Sequence, residues 1–166
     1  MFSVFVKASP RQFLLALLLL LPLAGCSGED VSPEDQVRQV ISDFEAAVES
    51  GSITDAAPFI GATYKDKYHP NKRAAVRSLF GYMRRHKNVH LFARIQEVEV
   101  NESLGTARAV VQVAMTGEPV ESEARLIALK ADLYRFQLDM RWDEDEDVWG
   151  ITAAEWKRAN LGGLAR

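Results

Sequence analysis

The sequence predicts an α+β domain in which a curved antiparallel sheet wraps a set of N-terminal helices. Three observations lead there. From residue 32 to residue 85 the apolar positions recur at helical spacing, from Val89 onward the period becomes two, and the strand-like runs are separated by short segments of turn chemistry. Helices that come first, followed by strands joined as hairpins, form the layer class in which helices cover one face of an antiparallel sheet.

The chain of 166 residues opens with a segment that stands apart from that domain. Lys7 and Arg11 precede an almost pure hydrocarbon run from Phe13 to Leu23, which ends in Leu23-Ala24-Gly25-Cys26. A basic start, a short apolar stretch and a small-residue cleavage site make an export signal. The 13 residues from Phe13 to Gly25 are fewer than the roughly 20 that cross about 30 Å of hydrocarbon at about 1.5 Å per residue, which disfavours a spanning anchor. Leu-Ala-Gly-Cys resembles the bacterial lipobox, and Cys26 is the single cysteine of the chain. The resemblance implies that residues 1–25 are removed and that Cys26 is lipidated and becomes the first mature residue. It also implies three acyl chains there, and a single chain would hold a membrane only marginally. Ser27 rather than Asp after the cysteine implies the outer membrane, facing the periplasm, and residues 26–31 are a short polar tether.

The domain itself spans 32–159. Ser32 and Pro33 suit the first positions of a helix, and Glu34 and Asp35 face the positive end of its dipole. Val37, Val40, Ile41, Phe44 and Val48 then form one apolar stripe until Gly51. Ile53–Ile60 reads as a second short helix interrupted by Pro58 and closed by Gly61. A third begins around Pro70-Asn71 and runs to about Arg85, with Val76, Leu79, Phe80 and Met83 as its expected buried face.

The strands follow. Val89, Leu91, Ala93 and Ile95 alternate with more polar residues, and Val98 and Val100 continue out of phase, which places a bulge near Gln96-Glu97. Asn101–Gly105 is a turn, and Thr106–Thr116 is the second strand with Ala107, Ala109, Val111, Val113 and Met115 on its apolar face. Gly117-Glu118-Pro119 breaks it, and Val120–Lys130 suits a short helix or a strand equally. Leu133–Trp142 is the third strand, Asp143–Asp147 an acidic hairpin tip, Val148–Lys157 the last strand, and residues 160–166 a fraying tail.

The order of these elements, with Gly51 and Asp55 after the first helix, Tyr64-Lys65-Asp66 before the third and the closing Asp147-Val148-Trp149-Gly150-Ile151, resembles the nuclear-transport-factor-2-like, or cystatin-like, superfamily. That resemblance implies a cone, with the helices packed in the concave face of the sheet. The superfamily includes isomerases and dehydratases, whose Asp or His projects into the cone, and also domains that catalyse nothing, so the fold does not choose between them.

Composition narrows the function classes. One cysteine excludes a disulfide framework and a thiolate metal cluster. A net charge of −3 gives no overall attraction to nucleic acid. No phosphate loop or serine elbow is present, and no cofactor is implied. His86 and His90 lie four apart, but the second falls where a strand begins and no carboxylate completes a ligand set, so no metal site is expected. The strands place no general base on their apolar faces: Asp139 shares its parity with Arg135 and Arg141, on the outer side. Candidate pocket residues therefore come from the helical side, Tyr64, Asp66, His69 and Tyr82, with Asp66 expected to cap the turn into the third helix.

Charge is unevenly placed. Thr63–Arg94 holds nine bases and one acid, Asp66. Arg73, Arg77, Arg84, Arg85 and Lys87 form a candidate basic surface on the third helix, balanced by acidic neighbours or offered to anionic headgroups or an acidic protein patch. The expectation is thus an envelope lipoprotein with a non-enzymatic binding or assembly domain. A cone enzyme of isomerase or dehydratase type acting on a small apolar substrate is the alternative. A structural homodimer using Arg135, Asp139 and Arg141 of the outer sheet face is a third. Whether Phe44, Phe59, Phe80, Phe136 and Trp149 fill the cone or leave it hollow separates these readings.

Overall fold

The computed structural model describes residues 31–86, 90–117 and 132–159. The export segment with Cys26, Lys87, Val89, the undecided stretch 120–130 and the tail 160–166 lie outside the described residues. No described helix is long and apolar enough to cross a membrane.

Helix α1 spans Pro33–Glu49 and starts as its chemistry dictates: Pro33 holds the first position and the Ser32 hydroxyl accepts from the Asp35 amide at 3.1 Å. It buries Val37, Ile41, Ala47 and Val48 and ends before Gly51, whose φ of +73° suits glycine. Pro58 divides the expected second helix into α2, Ile53–Ala56, and a 3₁₀ turn, Ala57–Phe59. Helix α3 is Lys72–Arg85, and its N-cap is Asn71, which accepts from the Ala74 amide at 3.0 Å. Asp66 caps the tighter turn that leads into this helix, as expected, its carboxylate accepting from the Tyr68 and His69 amides.

Four strands, β1 His90–Asn101, β2 Thr106–Thr116, β3 Asp132–Asp143 and β4 Val148–Arg158, form an antiparallel sheet in the order β1-β2-β3-β4. The anticipated bulge lies between Ile95 and Glu97. A second one, unanticipated, shifts the β3–β4 register between Asp139 and Met140 and leaves Thr152 outside the pairing. The acidic hairpin tip manages without glycine: Asp147 itself adopts φ +55°, and the Asp143 carboxylate accepts from the amides of Asp145 and Glu146. β2 is apolar on the expected face, but Val110, Gln112 and Ala114 on the other face are buried as well, so this inner strand is covered on both sides. Asp139 stands on the outer face as expected. Its partner, however, is Arg108, the residue directly opposite on β2, at 3.0 Å; direct cross-strand neighbours are closer than same-strand ones two residues away.

The core shows which end of the cone is closed. Val37 and Met140 are fully buried, Trp142 packs edge-on to Trp149, and the Trp149 indole donates to Gln36 at 3.2 Å. At the opposite end of the strands Leu91, Met115, Tyr134 and Trp156 are only partly covered. Helix α1 also ties down the outer strand: the Glu45 carboxylate accepts from the Ala93 amide at 2.9 Å and Glu49 from the Leu91 amide at 2.6 Å.

Helix α3 corrects one expectation. Ala75 and Met83 are buried and Val76 and Leu79 pack against the core, whereas Phe80 is 43% exposed. At about 100° per residue the buried arc runs from Ala75 through Leu79 to Met83 and Val76, and Phe80 falls beyond its edge.

Candidate functional site

The cone is hollow. A cavity of about 890 Å³ lies between α1, α3 and the concave face of the sheet, within the range of small-molecule sites, about 300–1,000 Å³. Its walls are mainly apolar, with Ile41, Val48, Leu79, Val113, Phe136 and Leu138 among them. Phe44 also lines it, with Phe59 packed edge-on behind at 6.1 Å. Of the five large aromatics that could have filled the cone, Phe80 points to solvent and Trp149 seals the closed end, so the space between remains.

The segment from Ile60 to His69 supplies the polar side of this cavity, and β4 holds it in place. Ile60 bridges to Ile151, the Gly61 amide donates to the Ile151 carbonyl at 2.8 Å, and the Lys65 amide donates to the carbonyl of the bulged Thr152 at 2.9 Å. Gly61 and Gly150 permit this approach: a Cβ on Gly150 would stand 3.0 Å from the Gly61 Cα. The unanticipated bulge thus turns a carbonyl outward to dock the segment that carries Tyr64 and Asp66.

Asp66 is the hub. One carboxylate oxygen accepts from the Tyr64 hydroxyl at 2.5 Å, the other from the amides of Tyr68 and His69 at 2.7 and 2.6 Å, and the His69 Nδ1 lies 2.9 and 3.0 Å from the two oxygens. The side chain of Asp66 is 1% exposed. Burial works to raise its carboxyl pKa, but the hydrogen bonds from Tyr64, His69 and the two amides outweigh it and hold the group below its ordinary value. Burial and the neighbouring carboxylate raise the Tyr64 phenol in turn. An ionised carboxylate only accepts, so Nδ1 of His69 carries the proton. Nε2 remains as the ring nitrogen without a partner among the described residues, and His69 lines the cavity.

Three of the four candidate pocket residues, Tyr64, His69 and Tyr82, line the cavity, and Asp66 stands behind two of them. Tyr82 belongs elsewhere on the wall: it stacks on His86 at 4.4 Å and its hydroxyl donates to the Met115 sulfur at 3.1 Å. His90 lies 3.8 Å from Glu49, so His86 and His90 face different partners. Glu45 was missed by the sequence argument. It lines the cavity, and burial raises its carboxyl pKa, opposed by the Ala93 amide and assisted by Glu49. The available signal was its position one turn beyond Ile41, at the margin of the apolar stripe.

The basic surface divides. Arg73, Arg77 and Arg84 share one stripe with exposed Phe80, and the Arg84 guanidinium lies 5.8 Å from that ring's centre. Arg85 instead lines the cavity together with His86. No ion pair among the described residues involves any of these four arginines.

No family model and no curated protein matches the chain. Solved structures do, at low identity. An uncharacterised protein with a cystatin-like fold from Caulobacter vibrioides is similar at TM-score 0.61 and 14% identity, over 79% of this chain and 92% of that one. An NTF-2-like protein of unknown function from Shewanella oneidensis is similar at TM-score 0.56 and 16% identity, over 75% and 98%. A candidate dehydratase of the NTF2-like family from Streptomyces avermitilis is similar at TM-score 0.56 and 14% identity, over 76% and 96%. The chain therefore has the NTF2-like, cystatin-like cone fold, with helices and a curved four-stranded antiparallel sheet.

Proposed function

We propose that the chain is a lipid-anchored envelope lipoprotein whose cone is a binding module for a small, largely apolar molecule. The cavity of about 890 Å³ carries this reading. A domain serving only as a spacer gains nothing from an apolar wall left open to water, since covering apolar surface is stabilising. The lipobox supplies the anchor through Cys26. Native mass spectrometry of residues 27–166, exported without lipid and purified gently, tests the binding: a reproducible extra mass is expected, and a bare polypeptide that takes up no apolar probe refutes it. Labelling with radioactive palmitate tests the anchor, with Cys26→Ser expected to abolish incorporation.

The stripe Arg73, Arg77, Phe80 and Arg84 is the surface we assign to anionic headgroups, at about 1 kcal/mol per basic residue near a membrane. Binding of the lipid-free domain to vesicles rich in phosphatidylglycerol, released by moderate salt, is expected. No binding at low salt refutes it, and an acidic protein patch is then the partner to seek.

One observation favours a second reading, an isomerase or dehydratase. His69, fixed by Asp66 through Nδ1, offers Nε2 to the cavity as a proton acceptor, and such a base serves proton abstraction from an apolar substrate. Deuterium from solvent entering a co-purified ligand, lost in His69→Gln, would support it.

A further inference from the structure

The exposed residues among those lining the cavity mark its mouth, and they include Arg85, His86, Gly117 and Trp156. From that end Met115, Val113 and Val111 of β2 and Tyr134, Phe136 and Leu138 of β3 run inward in register. Four strand steps of about 3.3 Å give a depth of roughly 13 Å, which suits a medium-length acyl chain. Among the described residues the charge at the mouth is one-sided. Arg84 and Arg85 both complement the negative end of the α3 dipole, but only Arg85 lines the cavity, and it makes no ion pair among the described residues. His86 stands beside it, stacked on Tyr82. The one carboxylate among the described lining residues, Glu45, accepts from the Ala93 amide. His69 faces the cavity near Trp156 with its Nδ1 committed to Asp66.

We infer that the ligand of the cone is a single-chain amphiphile with an anionic head, its head held at Arg85 and His86 and its hydrocarbon extending inward past Val113 and Phe136. This deepens the binding reading and rests on it.

The test uses the mature chain carrying Cys26→Ser, so that no acyl group of its own competes, titrated calorimetrically with decanoate, decanol, decyltrimethylammonium and dihexanoylphosphatidylglycerol. Decanoate is expected to bind at least tenfold more tightly than decanol and than the cationic amphiphile. From hexanoate to decanoate, affinity should rise by about fourfold per methylene. Arg85→Gln combined with His86→Gln should erase the preference for decanoate over decanol. Equal affinity for decanoate and decanol in the parent chain overturns the anionic head while the binding reading stands. Tighter binding of the two-chain lipid than of decanoate overturns the single chain and points to a bilayer lipid. Failure of every amphiphile, together with a bare mass in native spectra, overturns both.

Discussion

Removing the hub of the Tyr64–Asp66–His69 cluster should separate its structural weight from its effect on one proton. Asp66→Ala leaves three donors without their acceptor in part-buried surroundings: the Tyr64 hydroxyl, the His69 amide and the His69 ring N–H. The Tyr68 amide is exposed and water can replace the lost oxygen. An orphaned buried donor costs about 1–3 kcal/mol, and donors sharing one site are not additive, so a loss of about 2–5 kcal/mol is expected. Asp66→Asn behaves differently. Its amide oxygen still accepts from the two backbone amides, while its NH₂ meets Tyr64 and His69 and obliges the imidazole to accept. The proton then moves from Nδ1 to Nε2, and the loss of charge assistance costs about 1–2 kcal/mol. Denaturant unfolding measures the stabilities, and ¹⁵N NMR of the His69 ring reports the tautomer. Equal destabilisation by the two variants, or an Nδ1–H ring persisting in Asp66→Asn, would refute this account.

Glu45→Ala should lose about 1–3 kcal/mol by orphaning the half-buried Ala93 amide, whereas Glu45→Gln retains an acceptor and sheds a carboxyl whose folded pKa burial raises. Glu45 contributes most below its unfolded pKa of about 4.3 and loses that contribution as pH rises through its folded value; Glu45→Gln is therefore neutral to stabilising at pH 7, as chemical denaturation will show. The sign is opposite for Asp66: its folded pKa is depressed, so its contribution is present above about pH 4 and disappears as pH falls through the folded value. Acid titration of stability should flatten there in Asp66→Asn. Gly150→Ala brings a methyl to 3.0 Å from backbone at Gly61 and should cost about 1–3 kcal/mol, with displacement of the 60–65 segment visible as faster amide exchange at Gly61 and Lys65.

Local chemistry was legible from sequence and long-range placement was not. Caps and turns at Ser32, Gly51 and Gly105 and the bulge after Ile95 each follow from a few adjacent residues, and all occur. Pro58 marked its own interruption. Phe80 misled because an arc drawn from spacing alone has no fixed edge, and the helix is turned so that Ala75 faces inward instead. Tyr64, Asp66 and His69 were each visible as polar residues before the third helix. That they converge depends on the tight turn at Asp66 and on docking to β4 through Thr152, which no local pattern encodes. Glu45 went unseen because its partner, the Ala93 amide, lies 48 residues away.

The two carboxylates of α1 that bind the Ala93 and Leu91 amides have a consequence for the behaviour of this domain at high local concentration. β1 is a border of the sheet, and a bare border invites a strand from another molecule. At the start of β1 an intruding strand would first have to displace Glu45 and Glu49, whose negative charge also repels the like-charged helix of the intruder. The helix thus guards the start of that border, and a chain lacking both glutamates should form mixed-strand aggregates before its fold is lost.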